Sequence, residues 1–133
     1  MDCIFCKIIS GQIPTKIIRE TTNSMAFLDA FPLSLGHTLV IPKKHHVKIQ
    51  DMSDKENADL FSLVHTILPK IDALTGSTLV AIHNGKGAGQ DIPHVHVHLV
   101  PRSSNDSAGP IHSMFNSIKY LDSEIEATYN KLK

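Results

Sequence analysis

The sequence predicts one α+β domain over residues 1–133, in which a five-stranded antiparallel meander is crossed by one main helix and flanked by a short N-terminal helix and a C-terminal helix. Two Ser-x-x-Glu capping boxes, each with apolar residues at helical spacing, predict helices. Five short apolar runs bounded by turn residues predict the strands. The length suits a single domain with one hydrophobic core.

The N-terminal third contributes the first helix and three strands. Asp2 can cap a helix over 2–10, and Gly11 can end it. A polar turn over 21–24 joins the first two strands, and Pro42 stops the third. The three strands are predicted over 16–20, 25–29 and 37–42.

The main helix is predicted from the capping box of Ser53 and Glu56. Pro69 should kink this helix, and Gly76 closes it. Apolar residues recur at helical spacing after the cap, so one stripe is expected to face the sheet. These residues are Leu60, Phe61, Val64, Ile67, Leu68, Ile71 and Leu74.

The C-terminal half adds two strands and the last helix. Strands are predicted over 78–84 and 94–100, on either side of a glycine-rich segment. The second capping box, Ser123 with Glu126, opens the C-terminal helix. The apolar side chains expected to dock this helix on the core are Ile125, Tyr129 and Leu132.

Composition excludes several classes of partner. The 13 Lys and Arg balance the 13 Asp and Glu, so charge gives no reason to expect nucleic acid or a membrane surface as a partner. The apolar runs are too short to span a bilayer, and the first ten residues show no charged leader with a cleavage site. We therefore expect a cytoplasmic protein, also nuclear if the source is eukaryotic, with reduced cysteines. Nine histidines indicate metal or phosphate chemistry.

Three histidines alternate with apolar residues in "IPHVHVHLVP". In a strand, residues 94, 96 and 98 would share one face with neighbours roughly 7 Å apart, while the residues between them face the core. An exposed polar sheet face, a zinc site on three histidines, and a catalytic imidazole with helpers all fit this pattern. An exposed polar face is disfavoured for three histidines in register, because strand surfaces more usually carry Thr, Lys or Glu. A zinc site is disfavoured because next-but-one ring nitrogens on a flat strand diverge.

The segment "NGKGAGQD" favours an anion-binding loop over an ordinary hairpin. It lacks the Gly-Lys-Ser/Thr of a Walker A loop, and it leads into a strand where a dinucleotide fingerprint leads into a helix. Gly85, Gly87 and Gly89 allow backbone N–H groups to turn toward an anion. Asn84 and Gln90 add neutral amide donors suited to phosphate oxygens.

The pair Cys3-x-x-Cys6 has two interpretations. The thiols are either buried structural residues or zinc ligands, and zinc becomes plausible if two imidazoles come near. "PKKHH" over 42–46 and His94 are the obvious donors.

Other histidines carry no motif. His65 on the exposed side of the main helix and His112 in the tail are expected to have no role in a site. His83, within a predicted strand, is expected to be a core residue.

Four stretches together resemble the histidine triad (HIT) family of nucleotide hydrolases and transferases. They are "CIFCKIISGQIP", "AFLDAFPLSLGHTLVIPKKH", "NGKGAGQDIPHVHVH" and "LVPR". The resemblance covers most of residues 3–102, and the order and spacing of the blocks make it specific. It implies a single HIT domain of α+β fold, with its core at about 3–102 and a C-terminal tail and helix over 103–133, and a homodimer whose sheets join edge to edge.

The resemblance also implies a role for each site residue. His96 would attack the α-phosphorus of a nucleotide, His94 would orient its ring through the backbone carbonyl, and His98 and His37 would lie near the phosphate. Asp29 would bind the ribose hydroxyls. Phosphate or leaving-group contacts would come from Asn84, Gly89, Gln90 and Asp91, and base contacts from Ile4, Ile8, Phe27 and Ile41.

The family has a zinc-bearing branch with an N-terminal Cys-x-x-Cys, and its ligands would here be Cys3, Cys6, His45 and His94. A closed set of two cysteines and two histidines implies one structural zinc per chain, with no catalytic metal required. Phosphoramidase-type members often carry serine where this chain has Asp91, which puts a leaving-group role for this carboxylate in doubt.

The leading hypothesis is a hydrolase that cleaves a P–N or P–O–P bond at the α-phosphate of a purine nucleotide through a nucleotidyl-histidine. A second hypothesis is a non-catalytic nucleotide-binding or adaptor module. A third is a metal-binding protein that uses the triad as ligands.

Overall fold

A five-stranded antiparallel sheet organises the computed structural model, which describes residues 2–133. The predicted α+β class is confirmed. Within the described residues, no helix has the length and apolar character needed to cross a membrane. The elements are α1 (Ile4–Ile9), β1 (Ile17–Glu20), β2 (Ser24–Leu28), β3 (Thr38–Pro42), α2 (Asp54–Asp72), β4 (Thr78–Ala81), β5 (Val97–Pro101) and α3 (Asp122–Leu132).

The strand order is β1-β2-β3-β5-β4, so only the first three strands form a simple meander. β3 and β4 both run antiparallel to β5, which lies between them. Parallel strands need a crossing connection, and α2 provides it. The prediction of a five-strand meander is therefore wrong for the last two strands, because β5 and not β4 pairs with β3.

The main helix begins as predicted at the capping box. The Glu56 N–H donates to Ser53 Oγ at 3.1 Å, and the Ser53 N–H donates to Glu56 Oε1 at 3.0 Å. The helix runs through Pro69 to Asp72, and the kink stays a prediction. Phe61 and Leu74 are corrections to the buried stripe, because Phe61 is 40% exposed and Leu74 lies beyond the helix. The buried residues are Leu60, Leu63, Val64, Ile67 and Ile71, which pack against Val95, Val97 and Leu99.

The N-terminal helix packs on the opposite apolar cluster of the sheet, with Phe5 and Ile8 against Phe27. Its N-cap is Cys3, whose Sγ accepts from the Cys6 N–H, and not Asp2. Asp2 is exposed and pairs with Lys7 at 2.8 Å. The cap shifts by one residue because the thiol at position 3 already satisfies the free backbone donor.

The last helix does not dock on the core, contrary to the prediction. It begins after Leu121, whose N–H donates to Glu124 Oε1 at 3.1 Å, so Ser123 and Glu126 do not form the cap. Residues 110–133, the C-terminal arm, expose their apolar side chains. Ile125, Tyr129 and Leu132 are 57%, 55% and 80% exposed. An amphipathic pattern indicates that one face needs covering, but it does not identify the cover.

Candidate active site and metal centre

A cavity of about 450 Å³ lies between α1, the loop after β2, the 83–92 segment and the histidine segment. Its lining combines apolar side chains with imidazoles and carboxylates, the usual character of a small-molecule site. The titratable lining residues are Asp29, His37, His83, Asp91, His96 and His98, and Gly89 adds backbone. Ile4, Ile8 and Phe27 also line the cavity, whereas Ile41 is buried in the cluster beside it.

The three triad histidines do not share one strand face. β5 begins at Val97, so His94 and His96 precede the ladder. The Val95 N–H donates to His46 O at 2.7 Å, outside the sheet, and this contact turns the segment. The predicted strand start at 94 is therefore wrong, and each ring finds different partners.

The His96 ring has one nitrogen fixed by the backbone. His96 Nδ1 lies 2.8 Å from His94 O, an acceptor, so Nδ1 carries the proton and donates. Nε2 of the neutral ring therefore holds a free lone pair. Burial lowers the pKa of His96, partly offset by the bond to His94 O, so the neutral nucleophilic form prevails at pH 7.

A second chain of hydrogen bonds orients His98. The Leu33 N–H donates to His37 Nδ1 at 3.1 Å, so the proton of neutral His37 is on Nε2. His37 Nε2–H then donates to His98 Nδ1 at 3.0 Å, which leaves His98 with an Nε2–H donor. Burial, followed by the neighbouring His96 and His37, lowers the pKa of His98 to about 4. The His96 and His98 ring centroids are 4.9 Å apart, so a lone pair and a neutral donor lie side by side.

Asp29 begins the loop after β2 and lies beside His37. Its Oδ1 accepts from the Phe31 N–H at 2.8 Å, and Oδ2 lies 3.6 Å from His37 Nε2. Asp29, His37 and His98 could in principle hold a cation, since their ligand atoms lie within 4.8 Å of one another. His37 Nε2 carries a proton and therefore has no lone pair for a metal. We interpret Asp29, His37 and His98 as a chain of hydrogen-bonding groups and not as a metal site.

The glycine-rich loop is held by the two amides that were expected to meet phosphate. Gln90 is buried, accepting from the Gly85 N–H at 2.8 Å and donating to Val47 O at 2.8 Å. Asn84 accepts from the Ile49 N–H and donates to Gln50 Oε1. Both amides therefore lie outside the cavity lining. Gly89 has φ +101°, a left-handed conformation that favours glycine.

His83 is the site residue that sequence reasoning missed. β4 ends at Ala81, so His83 lies in the loop and not in a strand. Its ring lines the cavity, with its centroid 5.5 Å from that of His98. The expected core assignment is wrong because the strand is shorter than the apolar run indicated. The adjoining Asn84-Gly85 turn signal is the only local pattern that could have indicated this.

Two thiols and two imidazoles converge behind the triad. Cys3 Sγ and Cys6 Sγ lie 3.4 Å and 3.7 Å from His94 Nδ1, and Cys6 Sγ lies 3.4 Å from His45 Nδ1. A tetrahedral zinc with ordinary bond lengths separates S and N ligands by about 3.6 Å. His94 Nε2–H donates to Pro42 O at 2.8 Å, which leaves Nδ1 free to ligate. The four residues fit one structural zinc, as predicted.

Comparisons with known proteins agree with this geometry. The adenosine 5′-monophosphoramidase of Schizosaccharomyces pombe is 42% identical over 106 residues, which cover 80% of this chain and 78% of that protein. A HIT family structure from Bacillus subtilis has TM-score 0.84 and 29% identity, covering 99% of this chain and 95% of that one. A Zn-bound histidine triad family protein from Mycobacterium smegmatis has TM-score 0.75 and 36% identity, covering 82% and 81%. The HIT domain family model matches residues 10–105, and the chain therefore belongs to the HIT family.

Proposed function

We propose that this protein is a nucleotide hydrolase that cleaves purine nucleotide conjugates at the α-phosphate, with phosphoramidates preferred. One observation carries the proposal. The lone pair on His96 Nε2 and the neutral Nε2–H of His98 lie on adjacent rings in one cavity. A nucleophile beside a hydrogen-bond donor is what attack on a phosphate group requires. The name of the fission yeast relative supports the preference for phosphoramidates.

In the first step, His96 Nε2 forms a bond to the α-phosphorus. The bond from phosphorus to the leaving group breaks, and its electron pair goes to the leaving atom, which takes up a proton. His98 Nε2–H and the Gly89 backbone hold the phosphate oxygens, whose negative charge a neutral donor stabilises without prior proton transfer. In the second step, water attacks phosphorus and gives up one proton, the bond from phosphorus to His96 Nε2 breaks, and its electron pair returns to Nε2 as the lone pair.

The rest of the cavity fixes the nucleoside. Asp29 accepts from the ribose hydroxyls, and Ile4, Ile8 and Phe27 cover the base. The side-chain amides of Asn84 and Gln90 stabilise the glycine-rich loop, which places the Gly89 backbone at the phosphate. Asp91 lines the same cavity and borders the leaving group.

A His96→Gln variant tests this mechanism. It should bind AMP with a Kd within about threefold of wild type, yet hydrolyse adenosine 5′-monophosphoramidate slower by about four orders of magnitude or more, as loss of a nucleophile usually costs. His65→Gln, on the exposed face of α2, is the matched control and should match wild type in both measurements. Near wild-type turnover by the His96 variant would contradict the proposal.

A non-catalytic nucleotide-binding module is the second candidate, since the same cavity would suit a sensor. Wild-type protein should be assayed with adenosine 5′-monophosphoramidate, diadenosine polyphosphates and adenosine 5′-phosphosulfate. Binding of AMP without turnover of any of the three substrates would favour the module over the hydrolase.

We also propose a homodimer, and the C-terminal arm supports it. Nine large apolar side chains of the arm are 55–80% exposed, more than a monomer usually leaves in water. An isolated 11-residue helix is marginal in water. The Bacillus subtilis HIT structure nevertheless matches 99% of this chain at TM-score 0.84, arm included. If a second copy of the chain covers the arm, the same position of the arm in both proteins is explained.

Light scattering on the full chain tests the dimer. Phe115→Asp with Ile125→Asp should shift the mass from two chains to one, whereas Lys119→Asp, a charge change between them, should not. A monomeric wild type would contradict the proposal.

We place the protein in the cytoplasm, because the free thiols of Cys3 and Cys6 need a reducing compartment to bind zinc.

A further inference from the structure

His83 is the one imidazole of the cavity that the proposed mechanism leaves unused. His83 is half-buried, and none of the hydrogen bonds among residues 2–133 uses either of its ring nitrogens. By contrast, the backbone fixes a nitrogen of His96, and the chain from Leu33 fixes His37 and His98. His83 therefore brings two free nitrogens to a site where every other ring already has a partner.

The glycine-rich loop is shaped to admit this ring. A Cβ at Gly89 would lie only 3.2 Å from His83 Cδ2, so a side chain there would crowd the imidazole. The ring also packs edge-on against His98 at 5.5 Å between centroids and 74° between planes. His83 thus sits between the donor that holds phosphate and the backbone of the loop that borders it.

An amine leaving group requires a proton donor in this cavity. An amine leaves phosphorus as a neutral molecule only if a proton reaches its nitrogen as the P–N bond breaks. His96 has no proton on Nε2, and the one on its Nδ1 is held by His94 O. The Nε2–H of His98 is taken up in a hydrogen bond to a phosphate oxygen in the proposed first step, and the carboxylate of an ionised Asp91 has no proton to give.

We infer that His83 is a catalytic residue that protonates the leaving group, a role that rests on the proposed function. In the first step, the Nε2–P bond to His96 forms, the P–N bond breaks with its electron pair on nitrogen, and a protonated His83 transfers one proton to that nitrogen. In the second step, neutral His83 takes a proton from the attacking water while the bond from His96 to phosphorus breaks. Both histidines return to their starting forms.

The groups that face His83 are consistent with this role. His96 and His98 lie in the triad segment, and Asp91 lines the cavity from the 83–92 segment that also carries His83. Asp29 and His37 complete the polar lining from the other loop. A charge on His83 disfavours a charge on its neighbours, and this repulsion is among the causes that lower the pKa of His96 and of His98.

The test compares two leaving groups in one active site. Single-turnover release is measured from adenosine 5′-phosphoramidate carrying benzylamine, which needs a proton, and from adenosine 5′-phosphosulfate, whose sulfate leaves without one. In His83→Gln, the rate of amine release divided by the rate of sulfate release should fall about 10²-fold or more relative to wild type. His65→Gln should leave this ratio and both rates at wild-type values.

Other outcomes identify other roles. An equal loss of both rates would make His83 a phosphate-binding or structural residue and overturn the inference, as would no loss at all. A His83→Ala variant gives a second readout, because added imidazole should restore amine release but not change sulfate release. If wild type releases neither group, or His96→Gln releases both at normal rates, it is the hydrolase mechanism that fails.

Discussion

We expect a chelator to lower the melting temperature of this protein by about 15 °C while each folded molecule keeps most of its turnover. The four ligands join α1, the turn after β3 and the segment before β5. In the proposed mechanism, none of their side chains takes part in the reaction. Zinc at about 1,000 times its Kd stabilises the folded state by about 4 kcal/mol. A domain of this size shifts its Tm by about 4 °C for each kcal/mol.

The apolar contacts of α1 set the lower limit of stability without zinc. Phe5 and Ile8 are 4% and 8% exposed, and burial of each contributes about 2 kcal/mol. His94 Nε2–H also keeps its bond to Pro42 O. The helix should therefore stay docked after chelation, and the backbone that orients His96 should stay in place.

Differential scanning calorimetry and turnover at 25 °C, with and without chelator, measure the two effects. Cys6→Ala is the control, since it should melt near the temperature of chelated wild type and respond no further to chelator. Loss of turnover at an unchanged melting temperature would refute the structural assignment of the zinc, and so would full insensitivity of both measurements.

Two further predictions concern stability and pH. Glu56→Gln should cost about 1–2 kcal/mol in urea unfolding at pH 7, because the carboxylate caps α2 and pairs with His46 at 2.8 Å. The Ser53 N–H and then His46 lower the pKa of Glu56 to about 2. The stability that the carboxylate contributes is therefore present above pH 4.5 and is lost as pH falls toward 2. An equal difference in unfolding free energy between variant and wild type at pH 7 and at pH 2.5 would contradict this prediction. Burial lowers the pKa of His98 to about 4, so between pH 6.5 and 4 the unfolded chain binds a proton that the folded chain does not, and acid favours unfolding. The wild type should therefore lose stability over this pH range, and His98→Asn should lose less. Parallel Tm-against-pH curves for wild type and this variant would count against that reasoning.

Local patterns in the sequence were sufficient for most of the fold. The Ser53 box begins α2 because a cap depends on residues three apart, and strand alternation placed Val97 and Leu99 in the core. The strand order was beyond these patterns, because it depends on where a long connection returns. The exposed α3 face has the same cause, since periodicity shows that a partner is needed and not which one.

The site shows the same division. Cysteine spacing and the family resemblance indicated the zinc ligands, and the structure brings all four together. The protonation state of the rings depends instead on distant backbone groups, the Leu33 N–H for His37 and the Pro42 carbonyl for His94. No local pattern encodes such contacts. His83 was missed for a related reason, since β4 ends at Ala81, three residues before the predicted end at 84, and His83 therefore lies in the loop that lines the cavity.

The proposed mechanism requires that His96 carries the nucleotide covalently. This intermediate can be sought by mixing wild-type protein with adenosine 5′-monophosphoramidate, quenching the reaction rapidly without acid, and analysing the peptides by mass spectrometry. We expect one adenylyl group on the peptide containing His96, formed and lost at rates compatible with turnover, and none in His96→Gln. Normal turnover with no adenylylated peptide, or with the label on another residue, would contradict it.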